Sequence, residues 1–91
     1  MKKHEYRILL IEDDLDVQAL LLRMLKSDYA FKAVGSISQA FDELQSGSET
    51  YDLILTDVQL PGMSGLKLTE ALREKGISIP VIVMTAFGSL V

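Results

Sequence analysis

Four short runs of apolar residues, each separated from the next by a stretch of helical periodicity, constrain this chain more than any other feature. The runs are Ile8-Leu9-Leu10-Ile11, Phe31 to Val34, Leu53-Ile54-Leu55 and Val81-Ile82-Val83-Met84. Their apolar character is close to continuous rather than alternating, which is the pattern of strands covered on both faces, as in a parallel sheet. Between the first two, Val17, Leu20, Leu21, Met24 and Leu25 recur at helical spacing and predict one wide apolar face directed at the core. Asp14 is placed to cap that helix and Asp16 sits in its first turn, where the helix dipole favours negative charge.

The second interval repeats the design. Ser36 and Gln39 have capping-box spacing, and Ile37, Ala40, Phe41 and Leu44 follow at helical intervals. Residues 46–50, rich in Ser and Gly, read as a surface loop. In the third interval Leu68, Ala71 and Leu72 face inward, and Gly76 is placed to end the helix. Pro80 can open the last strand because its missing N–H is not needed there. The resulting βαβαβαβ alternation implies an α/β fold: a parallel sheet with right-handed crossovers and helices on both faces. Chemistry in such sheets belongs at the carboxyl ends of the strands.

Ninety-one residues are enough for one domain spanning 1–91, with a small core. The net charge of −4 argues against the domain itself gripping nucleic acid, so any DNA contact would fall to another domain. There is no cysteine, hence no disulfide framework or thiolate metal site. The apolar run after the charged start is only Ile8 to Ile11, too short for a signal peptide or a membrane span, and a cytoplasmic location is the expectation. His4 sits in a charged terminus and reads as a solvated side chain.

Three strand ends carry oxygen ligands: Glu12 and Asp13 after the first run, Asp57 after the third and Thr85 after the fourth. Taken alone, Asp57 reads most simply as a turn residue before Pro61-Gly62, Thr85 as a β-branched strand residue, and Glu12-Asp13-Asp14 as a helix start. Together they say more. With strand order 2-1-3-4 the first and third strands are neighbours, and Glu12, Asp13 and Asp57 meet in one acidic pocket. Carboxylates so packed need protons or a cation, and hard oxygen ligands suit Mg²⁺. A carboxylate beside such an ion can act as nucleophile in phosphoryl transfer, with the Thr85 hydroxyl donating to a phosphoryl oxygen.

The segments Ile8-Leu9-Leu10-Ile11-Glu12-Asp13-Asp14, Leu53-Ile54-Leu55-Thr56-Asp57-Val58-Gln59-Leu60-Pro61-Gly62-Met63-Ser64-Gly65 and Pro80-Val81-Ile82-Val83-Met84-Thr85-Ala86 together resemble the receiver domain of two-component response regulators. The resemblance covers the whole chain in order and implies a flavodoxin-like sheet. It implies that Asp57 accepts a phosphoryl group from a sensor histidine kinase and that Asp13 and Asp57 hold Mg²⁺ directly. Glu12 would then act through water, the backbone carbonyl of Gln59 would complete the ligands, and Thr85 would be the switch hydroxyl. The ending Thr85-Ala86-Phe87-Gly88-Ser89 resembles receivers attached to transcription activators, whose output domain would bind DNA. Such a protein is a phosphorelay component with at most self-catalysed phosphotransfer and dephosphorylation, not a conventional turnover enzyme.

The same resemblance implies a further helix, strand and helix that these 91 residues do not contain, and with them a Lys that pairs with the phosphoryl oxygen. The expectation is therefore a receiver incomplete at its carboxyl end that binds Mg²⁺, accepts phosphate poorly and self-associates through its exposed fourth strand. Two other functions compete with the switch: a non-phosphorylated interaction module, and a hydrolase with an Asp nucleophile. The second of these wants an acid two residues beyond Asp57, where Gln59 stands.

Overall fold

The computed structural model describes residues 6–25, 27–47, 50–57, 59–60 and 63–84. In chain order its elements are β1 (Arg7–Ile11), α1 (Leu15–Leu25), β2 (Ala30–Val34), α2 (Ile37–Ser46), β3 (Leu53–Asp57), β4 (Gln59–Leu60), β5 (Met63–Ser64), α3 (Gly65–Glu74) and β6 (Val81–Met84). Four strands form one parallel sheet in the order β2-β1-β3-β6, the 2-1-3-4 order expected of a flavodoxin-like sheet. No described helix is long and apolar enough to cross a membrane.

Sheet register divides the strand side chains between two unequal faces. Leu9, Ile11 and Ile54 point to one face, where they join Val34, Ala40, Tyr51, Leu68 and Leu72 in the buried core. This face is covered by α2 and α3, whose Phe41, Leu44 and the following Ile77 pack against the same cluster. Alternation sends Ile8, Leu10, Leu55 and Ile82 to the opposite face. There Ile8 and Leu10 are buried, and α1 is the one described helix left to cover them.

The cover on that second face stops short. Leu55 is half-buried and Ile82 is 51% exposed, because the β3–β6 half of the face carries no described helix. The first helix shows the same deficit. The sequence places Val17, Leu20, Leu21, Met24 and Leu25 in the core, but no residue of α1 is buried, and Leu20 and Met24 are 46% and 63% exposed. Amphipathic spacing states which residues would benefit from burial. It does not supply the neighbour that buries them.

Local chemistry explains where the helices start and stop. Asp14 caps α1, its Oδ1 accepting from the N–H groups of Asp16 and Val17 at 2.9 and 3.2 Å. Ser36 caps α2 by accepting from Gln39 N–H, but the Gln39 side chain reaches back to the N–H of Gly35 rather than that of Ser36, one residue outside a regular capping box. The helix then runs through Ser46, one residue into the expected loop, and ends on Gly47 at φ 70°. At the end of α3, Gly76 adopts φ 80°, its N–H bonds to Arg73 O, and Ile77 N–H bonds to Leu72 O. This is the paired closure for which a left-handed glycine is required.

A short antiparallel pair, Gln59–Leu60 with Met63–Ser64, precedes α3. The sequence predicts only a turn at Pro61-Gly62, two residues that lie outside those described. Ser64 then caps α3, accepting from Lys67 N–H at 3.2 Å.

Candidate metal centre and phosphoacceptor site

Register fixes the site before any side chain is considered. Ile11 pairs with Thr56, so the residues that follow them, Glu12 and Asp57, leave the same end of adjacent parallel strands. The connection from β1 runs out to β2, whereas β3 continues to β6 on the other side. The carboxyl ends of β1 and β3 therefore flank the point where the direction of winding reverses, the usual position for a ligand crevice.

The carboxylates converge there. One ligand oxygen from each of Glu12, Asp13 and Asp57 lies within 4.8 Å of the others, with Glu12 buried, Asp57 half-buried and Asp13 exposed. Three hard anionic donors at that separation, open to water on the Asp13 side, fit a hydrated divalent cation of the Mg²⁺ type. The backbone of Gln59 follows two residues after Asp57, as the start of β4. Thr85 lies outside the described residues, one position beyond the end of β6, where Met84 pairs with Asp57. Lys67 is in the first turn of α3 and Lys75 is its C-cap, so neither is carried by a strand of the sheet.

Glu12 is the most constrained of the three. Its N–H donates to Val34 O at 3.0 Å, and its Oε2 accepts from Asp14 N–H at 3.1 Å. Burial holds its carboxyl above the ordinary value of 4.5, and the negative charges of Asp57 and Asp13 push the same way against the opposing Asp14 N–H. A carboxyl raised on folding binds its proton more tightly in the native state, so its contribution to stability is lost as pH rises. Without divalent cation, the stability advantage of Glu12→Gln over the wild type should be near nil below the ordinary value and grow as pH climbs through the raised one. Paired thermal melts across that range check it. Saturating Mg²⁺ should shrink the difference at neutral pH.

A parallel sheet wound in this order, with three carboxylates gathered at its switch point, defines an α/β domain of flavodoxin-like architecture. Comparison with known proteins gives the particular family: residues 8–91 match the response regulator receiver domain, and the chain belongs to that family. It is 42% identical over 83 residues to the response regulator RppA of Synechocystis, an alignment covering 90% of this chain and 36% of RppA. It is 42% identical over 90 residues to the transcriptional regulatory protein CiaR of Streptococcus pneumoniae, covering 92% of this chain and 37% of CiaR. The chain thus spans about a third of the length of these two relatives.

Solved structures agree on the fold. The response regulator TrrA of Thermotoga maritima, in complex with Mg(2+)-BeF, superposes with a TM-score of 0.78 at 29% identity, covering 92% of this chain and 72% of that one. The complex of the histidine kinase ThkA with TrrA contains a match with a TM-score of 0.77 at 29% identity, covering 90% of this chain and 70% of that one.

Proposed function

We propose that this receiver is a phosphoacceptor of a two-component pathway, with Asp57 taking a phosphoryl group from the phosphohistidine of a sensor histidine kinase. The observation that carries the reading is the convergence of the Glu12, Asp13 and Asp57 oxygens within 4.8 Å at the ends of β1 and β3, in a member of the receiver family. In the transfer, an Asp57 carboxylate oxygen forms a bond to phosphorus as the phosphorus–nitrogen bond to imidazole breaks. The electron pair returns to the ring nitrogen, and Asp57 becomes an acyl phosphate.

Glu12, Asp13, Asp57 and the Gln59 carbonyl would hold the Mg²⁺. Bound there, the ion supplies positive charge that offsets the crowded oxygens. Asp57 presents the nucleophile from a rigid strand end, Glu12 stays fixed by its backbone and by Asp14, and the Thr85 hydroxyl would donate to the transferred group. The complexes of TrrA with Mg(2+)-BeF and with a histidine kinase support the cofactor and the partner by analogy. Relatives named as transcriptional regulatory proteins support an output domain that acts on DNA, and a cytoplasmic location is part of the same proposal. Incubation with acetyl phosphate should add one phosphoryl group per chain slowly and only with Mg²⁺, read by intact mass. Folded protein that gains none in Mg²⁺ would overturn the reading.

A second reading is favoured by one observation. β6 is the outer strand of the sheet as described, its Val81-Ile82-Val83-Met84 carries no charge, and Ile82 stands 51% exposed. Uncharged edge strands pair readily with other chains. We propose that the 91-residue chain self-associates through β6, as an interaction module. Light scattering should then show dimer or larger at high micromolar concentration, and Ile82→Lys should restore monomer. A wild-type monomer at that concentration would remove the idea.

A further inference from the structure

The acidic loop is held from a direction that the reading above leaves unused. Gln18 lies in the first turn and a half of α1, six residues after Glu12, and its side chain is half-buried. Its Nε2 donates to the backbone carbonyl of Glu12 at 3.0 Å and approaches that of Val34 at 3.5 Å. Val34 O also accepts the Glu12 N–H. One amide therefore ties α1 to the last residue of β2 and to the residue just after β1, at the point where the chain leaves β1 for the acidic loop.

The consequence for Glu12 is restraint on three sides. Its N–H, its carbonyl and its carboxylate each have a partner: Val34, Gln18 and Asp14. Of these, Gln18 supplies the only side-chain donor, and it comes from a helix that is otherwise loosely packed, with no buried residue of its own. Without that donor the Glu12 carbonyl loses its contact with α1, and the peptide joining Glu12 to Asp13 is steadied only by the Glu12 N–H and Asp14 N–H bonds on either side of it. That peptide sets the direction of both carboxylates.

We infer that Gln18 is a positioning residue for the cation site, holding the Glu12-Asp13 peptide so that the two side chains meet Asp57 at ligand spacing. The inference rests on the metal reading proposed above. Groups that orient ligands without touching the ion commonly affect its affinity by about 10- to 100-fold. A role limited to fold stability would lower the melting temperature and leave the affinity of the folded chain unchanged.

The test uses Gln18→Met, which keeps the length of the side chain and removes the donor, with Gln18→Ala as a second variant should the first not fold. Two readouts are taken on folded protein. Mg²⁺ titration followed by NMR should show about tenfold weaker binding than the wild type. In metal-free buffer, amide exchange should rise at Glu12, Asp13 and Asp14 but not in the centre of β3. Unchanged Mg²⁺ affinity together with unchanged exchange at these three amides would overturn the inference. If the wild type itself binds no Mg²⁺, the metal reading fails, and the exchange arm still decides whether Gln18 positions the loop.

Discussion

Asp57→Asn should take up no phosphoryl group from acetyl phosphate under conditions in which the wild type is modified, and should also be the more stable protein in metal-free buffer. The two halves of this expectation share a cause. Asp57 stands with Glu12 and Asp13 inside a 4.8 Å cluster of carboxylates, and the expectation is that the crowding which suits a cation also costs stability in the metal-free fold. Removing one charge from such a cluster should contribute about 0.5–2 kcal/mol, the usual gain from relieving an unfavourable functional charge. Mass spectrometry reads the first half and denaturant unfolding the second. Saturating Mg²⁺ should erase the stability gain, because the wild type then has its compensating ion. An Asn variant less stable than the wild type in metal-free buffer would mean that the three carboxylates are not in conflict.

Leu72→Ala should cost about 2–5 kcal/mol, the range for truncating a fully buried leucine. Leu72 has no exposed surface, it belongs to the core shared by α2, α3 and the sheet, and its carbonyl accepts the Ile77 N–H that closes α3. A loss of that size is a large part of the roughly 5–15 kcal/mol that holds an ordinary domain together. The informative comparison is Met24→Ala, which the residue pattern alone would rank beside it. Met24 is 63% exposed, so its truncation should cost no more than about 0.5 kcal/mol. Urea unfolding of both variants separates the two faces of the sheet. Equal losses would mean that α1 is packed as tightly as α3.

That contrast also marks what could be read from the residues. The strands were legible because Leu9, Ile11 and Ile54 belong to runs that make sense only when covered on both sides, whereas their order came with the resemblance to receivers and, once given, brings the acids after β1 and β3 together. The open flank of α1 was not legible, since Leu20 and Met24 have the same spacing whether or not a neighbour is present. The β4–β5 pair went unseen because Gln59-Leu60 and Met63-Ser64 are too short to show any alternation beside a Pro-Gly turn signal. Gln18 gave no signal either: a lone amide at the border of an apolar stripe looks solvated until its two carbonyl partners are located. Thr85 keeps the place that the family pattern gives it, outside the described residues.

The unequal covering of the sheet has a mechanical consequence. β3, which ends in Asp57, is bonded on one side to β1, whose Ile8 to Ile11 are all buried, and on the other to β6, whose Ile82 is half exposed among the described residues. Force applied at the tip of β3 would meet a stiff wall on one flank and a compliant one on the other. The side chains facing away from α2 and α3 are more tightly enclosed at β1 than at β6 among the described residues, and it is on the β6 flank that repacking around Asp57 meets fewer neighbours.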